Sequence, residues 1–159
     1  MAFSTLSKNQ SDILYQFFNE GIKYLIVGGY AVRHYGYKRS TTDLDILIEN
    51  TKNSKEKLYK VLAFLGVPKE NLGKLLSDQL KPTTKVKWHD VEIFLSMKGF
   101  DFDVFYDNRS IESIKGFEVS IISKQDLIKT KEDALIDSER TAKHCVDKDD
   151  LNKLTKFRV

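Results

Sequence analysis

Asp43 and Asp45 stand two residues apart in Asp-Leu-Asp-Ile-Leu-Ile, with Leu44 and Ile46 between and after them. On a strand, alternate residues share a face, so both carboxylates project together while Leu44 and Ile46 turn to the core. Two carboxylates held this close repel, and one pKa rises unless a cation compensates. A hard divalent ion removes the conflict, because it takes carboxylate oxygens together with those of a triphosphate. Alone, an Asp-x-Asp pair is equally the pattern of an exposed edge strand. Upstream, the apolar run Tyr24–Val27 ends in Gly28-Gly29. Such a turn leaves backbone N–H groups open to an anion and, with no Cβ, lets phosphate come close. Gly29 is the position where that approach is expected, with Gly28 serving the turn. The combination carries more weight than either part: strand, Gly-Gly, helix, then Asp-x-Asp opening a second strand.

Taken together, Gly28-Gly29-x-Ala31, Gly36, Arg39, Thr42 and Asp43-Leu44-Asp45 resemble the nucleotidyltransferase superfamily related to DNA polymerase beta, in particular its minimal bacterial and archaeal members. The resemblance implies an α/β (α+β) fold, a mixed β-sheet flanked by helices. It implies Mg²⁺, or Mn²⁺ in its place, held by Asp43 and Asp45, and a nucleoside triphosphate bound by Gly28, Gly29, Arg39 and Thr42. Transfer of a nucleoside monophosphate to a hydroxyl would follow, on an RNA end, a protein or a small molecule. These members include toxin-type nucleotidyltransferases and small antibiotic adenylyltransferases; 159 residues leave little extra domain to select an acceptor, so a partner subunit or a homo-oligomer is expected to do so.

Such enzymes take a third carboxylate from a later strand. Phe100–Tyr106 reads as a β-run with acids at alternate positions, and Asp103 is the expected catalytic and metal residue. Asp101 on the same face is the runner-up, and Glu92 in Val91-Glu92-Ile93-Phe94 stands third. Ser123-x-x-Asp126-Leu127-x-x-x-Lys131-x-x-Ala134 resembles the helix start that brings a lysine near the triphosphate, with Ser123 as N-cap. Arg140, Lys143, Asp147, Asp150, Leu151 and Leu154 resemble the closing helix and read mainly as packing and pairing. His34 is a general-base candidate, but a lone histidine is more often structural, and it stays outside the catalytic set. Three rivals stand beside an active enzyme: an inactive nucleotide-binding or toxin–antitoxin regulatory module, an unrelated phosphate-binding domain, and a purely structural one.

The elements that must position these residues can be read from periodicity. Ile13, Leu14, Phe17 and Phe18 fall at helical spacing over Ser11–Glu20, and Gly21 stops the helix. A short helix is expected from about Ala31 to Tyr35, ending at Gly36. Ser54 is the expected N-cap of a helix bearing Leu58, Val61, Leu62 and Leu65, closed by Gly66 and Pro68. Val86–Trp88, Val91–Leu95, Phe100–Tyr106 and Val119–Ile122 read as strands. From Ser123 onward the pattern is helical, with a last helix carrying Val146, Leu151 and Leu154.

The whole chain, 1–159, is expected to form a single domain: 159 residues with 41% hydrophobic content can bury one core. With 31% charged residues and only 2 Pro and 8 Gly, long linkers and disorder are not expected. No apolar run approaches the ~20 residues of a membrane helix, and the N-terminus carries no secretory pattern. The single Cys145 fits a reducing compartment, so a cytoplasmic protein is expected. Net charge +3 permits a polyanionic substrate without marking a dedicated nucleic-acid binder.

Overall fold

The computed structural model describes residues 5–36, 41–76, 84–136 and 144–155. Six strands form one mixed sheet in the order β3-β4-β2-β1-β6-β5. In chain order the elements are α1 (Lys8–Glu20), β1 (Tyr24–Val27), α2 (Gly28–His34), β2 (Leu44–Ile48), α3 (Lys52–Phe64), β3 (Thr84–Trp88), β4 (Val91–Ser96), α4 (Phe102–Asp107), β5 (Ser110–Ile114), β6 (Phe117–Ile121), α5 (Lys124–Ile136) and α6 (His144–Thr155). The expected mixed sheet with flanking helices is the architecture observed.

Pairing direction decides what meets at each edge of the sheet. β1 runs antiparallel to β2, with Val27 opposite Asp45. β4 runs parallel to β2, with Asp45 opposite Glu92, and β6 parallel to β1, with Ile26 opposite Ile121. The outgoing ends of β1 and β6 and the incoming ends of β2 and β4 therefore share one edge. Helices α2 and α5 both begin there. The central strands are apolar because both faces are covered: β1 is buried at all four positions, and β2 departs from burial only at Asp45.

α1 buries Gln10, Ile13, Leu14 and Phe17, one face at helical spacing. Ser7 and Gln10 form a reciprocal capping box, and Gly21, in the left-handed region at φ 66°, closes the helix. Three expectations need correction. α2 begins at Gly28 rather than near Ala31, so the Gly-Gly pair forms its first turn. The N-cap of α3 is Thr51, whose hydroxyl accepts from the Ser54 N–H at 3.1 Å; Ser54 instead donates to Glu49. The run Phe100–Tyr106 is not a strand. Residues 102–107 are helical because Asp101 caps the first turn, accepting from the Val104 N–H, and because Phe102 and Tyr106 stack one turn apart with centroids 5.4 Å from each other. β5 was not expected at all. Its signal is the Lys115-Gly116 pair, both at positive φ, between alternating runs, which is the grammar of a two-residue hairpin.

Candidate active site

Asp43 and Asp45 lie together at the shared edge, with buried Leu44 between them, as alternation requires. Directly across from Asp45, on β4, is Glu92. Beyond it on β3, Lys87 is the register partner of Glu92. The row thus runs Asp45, Glu92, Lys87 across three adjacent strands. Lys87 Nζ lies 3.8 Å from Asp43 and Lys85 Nζ 3.2 Å from Glu92, so edge lysines face two of the three acids.

Among the described residues, no lysine or arginine forms an ion pair with Asp45. Its Oδ1 is shut off from solvent and lacks a hydrogen bond among the described residues, as does Asp90 Oδ1 in the β3–β4 turn. Burial, then the charge and hydrogen bond of Glu92, then Asp43, push the Asp45 carboxyl up to about 7, with Lys131 pulling the other way. Gly28 presses against this carboxylate. It sits at φ +65°, and a Cβ there would collide with Asp45 Oδ2 and come within 3.2 Å of Asp45 Cβ and Cγ. The first turn of α2 therefore lies directly on Asp45, and its N-cap Val27 supplies no side-chain cap to the helix amides.

These features fit a divalent cation: an orphaned, buried carboxylate oxygen, two further acids beside it and a glycine cradle. Among the described residues the side chains do not converge into a ready-made three-ligand cluster. The lysines on β3 supply part of the positive charge instead.

The expected third acid is not where the sequence pointed. Since β4 runs parallel to β2, it carries the chain away from the Asp45 edge before α4 begins. Tyr106 of α4 lies under Lys23, 5.6 Å from its ammonium, just before β1 and therefore at the opposite edge from Gly28. Asp103 and Asp101 are exposed there. Glu92, ranked third, is the acid that strand pairing brings beside Asp45.

The remaining positions divide as follows. Gly29 is buried within α2, and Thr42 is exposed, its carbonyl accepting from Gln10. Arg39 and Lys38, like Arg140 and Lys143, lie outside the described residues. His34 faces Glu112 on β5 at 3.7 Å, and burial pushes its imidazole below the ordinary 6.5. Ser123 caps α5 as expected, its hydroxyl accepting from the Asp126 N–H at 3.1 Å.

Lys131 is not a free surface lysine. It is buried on α5, with Nζ 2.9 Å from Asp150 and 3.4 Å from Asp147 on α6, both acids fully enclosed. Its charge is still felt at Asp45. Removing one member of a buried ionic group strands the others. Asp147 and Asp150 have further interactions, which softens the loss. Lys131→Met is expected to lower unfolding free energy by about 2–3 kcal/mol in urea titration, with an unchanged unfolding slope. A surface lysine would show almost none of this.

No protein-family model and no curated protein matches the chain. Among solved structures it is similar to an antigenic nucleotidyltransferase-like protein from Paracoccidioides brasiliensis. The identity is 18% and the TM-score 0.53, over 97% of this chain and 79% of that one. The fold is that of a nucleotidyltransferase-like protein. Among the described residues, no helix is long and apolar enough to cross a membrane.

Proposed function

We propose that the chain is a Mg²⁺-dependent nucleotidyltransferase that moves a nucleoside monophosphate from a nucleoside triphosphate to a hydroxyl acceptor. The observation that carries this reading is Gly28 seated on the Asp45 carboxylate, whose buried Oδ1 lacks a hydrogen bond among the described residues, with Glu92 opposite. Asp43 and Asp45 would hold the ion, which neutralises triphosphate charge and makes the acceptor hydroxyl more acidic. Gly28 and Gly29 offer backbone N–H groups to the phosphates, with Thr42 and Arg39 on the connecting segment. Lys131 adds positive potential from its buried seat. Glu92 takes the role first assigned to Asp103: it orients the acceptor hydroxyl for in-line attack on the α-phosphorus, and pyrophosphate leaves. The acceptor class is an RNA end, a protein or a small molecule, and selection among them would fall to a partner subunit or a second copy. The test is incubation with labelled ATP, CTP, GTP and UTP, total RNA and cell lysate, with Mg²⁺ or Mn²⁺. Transfer of label supports the reading, and no transfer with any combination overturns it.

A second reading, an inactive nucleotide-binding or regulatory module, is favoured by Lys85 and Lys87 facing two of the acids. It predicts metal-dependent triphosphate binding without transfer.

Glu92 and Asp103 make opposite predictions. Glu92→Gln is expected to cut the transfer rate about 100-fold or more, the scale on which misplacing a reacting group acts, while triphosphate binding persists. Asp103→Ala, an exposed change on α4, should leave both intact. A reversed ranking in steady-state rates would return the third acid to α4.

A further inference from the structure

Gln10 is a glutamine on an otherwise apolar helix face, only 1% exposed. Its Nε2 donates to the Thr42 carbonyl and to the Asp90 carbonyl, both at 3.0 Å. Its Oε1 accepts from the Ser7 N–H at 3.0 Å and from the Tyr30 hydroxyl at 3.1 Å. Two donors and two acceptors are all that a side-chain amide has, and all are used. The two carbonyls are informative. Thr42 immediately precedes Asp43, and Asp90 lies two residues before Glu92. The Asp90 carbonyl also accepts from the Leu44 N–H at 2.9 Å, so Gln10 and Leu44 converge on one oxygen between the two acid-bearing strands. Tyr30 belongs to α2, the helix that Gly28 opens. One amide therefore ties the segments carrying Asp43, Glu92 and Gly28 to α1.

Helix capping does not require this. At the third position of a capping box, Glu serves as well as Gln, because the role is only to accept from the cap N–H. Donation to two carbonyls does require the amide, since a carboxylate would set acceptor against acceptor.

We infer that Gln10 is a positioning residue for the acid row, fixing the segments of Asp43 and Glu92 relative to each other so that Asp43 stands where it and Asp45 would hold the cation. The inference rests on the proposed reading of that row as the metal and nucleotide site. Gln10→Glu retains the cap and the Tyr30 contact but loses both carbonyl contacts. Gln10→Met, of similar shape, is the second variant should a buried carboxylate prevent folding. Ser7→Ala is the control, weakening the cap alone.

The experiment measures, in the full chain, the Mn²⁺ concentration that half-saturates fluorescent triphosphate binding, and amide exchange at Leu44 without metal. Both are read well below each variant's unfolding midpoint. Groups supporting a metal's ligands commonly affect affinity by about 10–100-fold, so Gln10→Glu and Gln10→Met should raise the Mn²⁺ requirement about tenfold or more and speed exchange at Leu44. Ser7→Ala should lower thermal stability but move neither reading. An unchanged Mn²⁺ requirement in both Gln10 variants, with wild-type binding intact, overturns the inference, as does Ser7→Ala matching them. Absence of metal-dependent binding in the wild type overturns the proposed function itself, and the two failures are thereby distinct.

Discussion

Asp45→Asn is expected to abolish Mg²⁺-dependent triphosphate binding and, in the metal-free protein at pH 8, to raise the unfolding midpoint. Both effects come from one carboxyl. In the fold its pKa stands near 7 against an ordinary 3.8, raised first by burial and then by Glu92. A raised carboxylate pKa means that the folded state holds its proton more tightly than the unfolded chain does. Unfolding free energy therefore falls as pH rises through the window from about 4 to about 7. Below that window the wild type bears no penalty, and above it the full one. At about 1.4 kcal/mol per pKa unit the upper bound is near 4 kcal/mol, reduced by residual solvent and by proton sharing with Glu92. Asn carries no charge, so the variant should lose this slope. Wild type and variant should be similarly stable near pH 4, with the variant ahead by about 2 kcal/mol or more at pH 8. Saturating Mg²⁺ with triphosphate should then stabilise the wild type at pH 8 and leave the variant unmoved. Parallel pH profiles of the two metal-free proteins would contradict this account of Asp45. Retained metal-dependent binding in Asp45→Asn would remove Asp45 from the metal site.

Gly28→Ala should destabilise the chain by about 2–4 kcal/mol, from a left-handed φ imposed on a residue with a Cβ plus an overpacked contact. It should also remove nucleotide binding, because the methyl group occupies the space of Asp45 Oδ2. The two costs separate in a double-mutant cycle with Asp45→Ala. Truncating Asp45 clears the collision but leaves the backbone strain, so Gly28→Ala should cost less by about 1–3 kcal/mol in the Asp45→Ala background. Urea unfolding midpoints of the four proteins measure it. Strict additivity would mean that the turn alone requires glycine and that Gly28 does not cradle Asp45. Gly36, with nothing among the described residues within 4 Å of its Cβ position, offers a comparison: φ is also positive there, so Gly36→Ala should show the strain without the coupling.

Local grammar made much of this legible in the sequence. Tyr24–Val27 is apolar throughout and ended by Gly28, and it is a strand with those limits. Gly21 ends α1 and Ser123 caps α5 because these are contacts between residues within a turn of one another. Asp43 and Asp45 share a face by alternation alone. Phe100–Tyr106 misled because Asp-Phe-Asp at alternate positions satisfies a strand, while the same letters offer an N-cap and an i, i+4 aromatic pair to a helix. Short apolar runs leave that choice to packing.

What only the tertiary structure decided is which distant residues share an edge. Which acid stands opposite Asp45 depended on whether β4 pairs with β2 in parallel, a long-range choice that no local pattern encodes. Parallel pairing sets Glu92 opposite Asp45 and sends Asp103 to the other edge. Lys131 reads on the sequence like any helix-surface lysine, and only the docking of α6 on α5 encloses it between Asp147 and Asp150. Gln10, left outside the helix expected over Ser11–Glu20, is the third residue of its capping box. Its other three contacts reach across the fold to Tyr30, Thr42 and Asp90. Residue type and spacing determined that two acids and a glycine turn were available, because those relations span a turn or a strand pair. Which further groups surround them was settled by strand order and helix docking, where burial of the whole core outweighs any local preference.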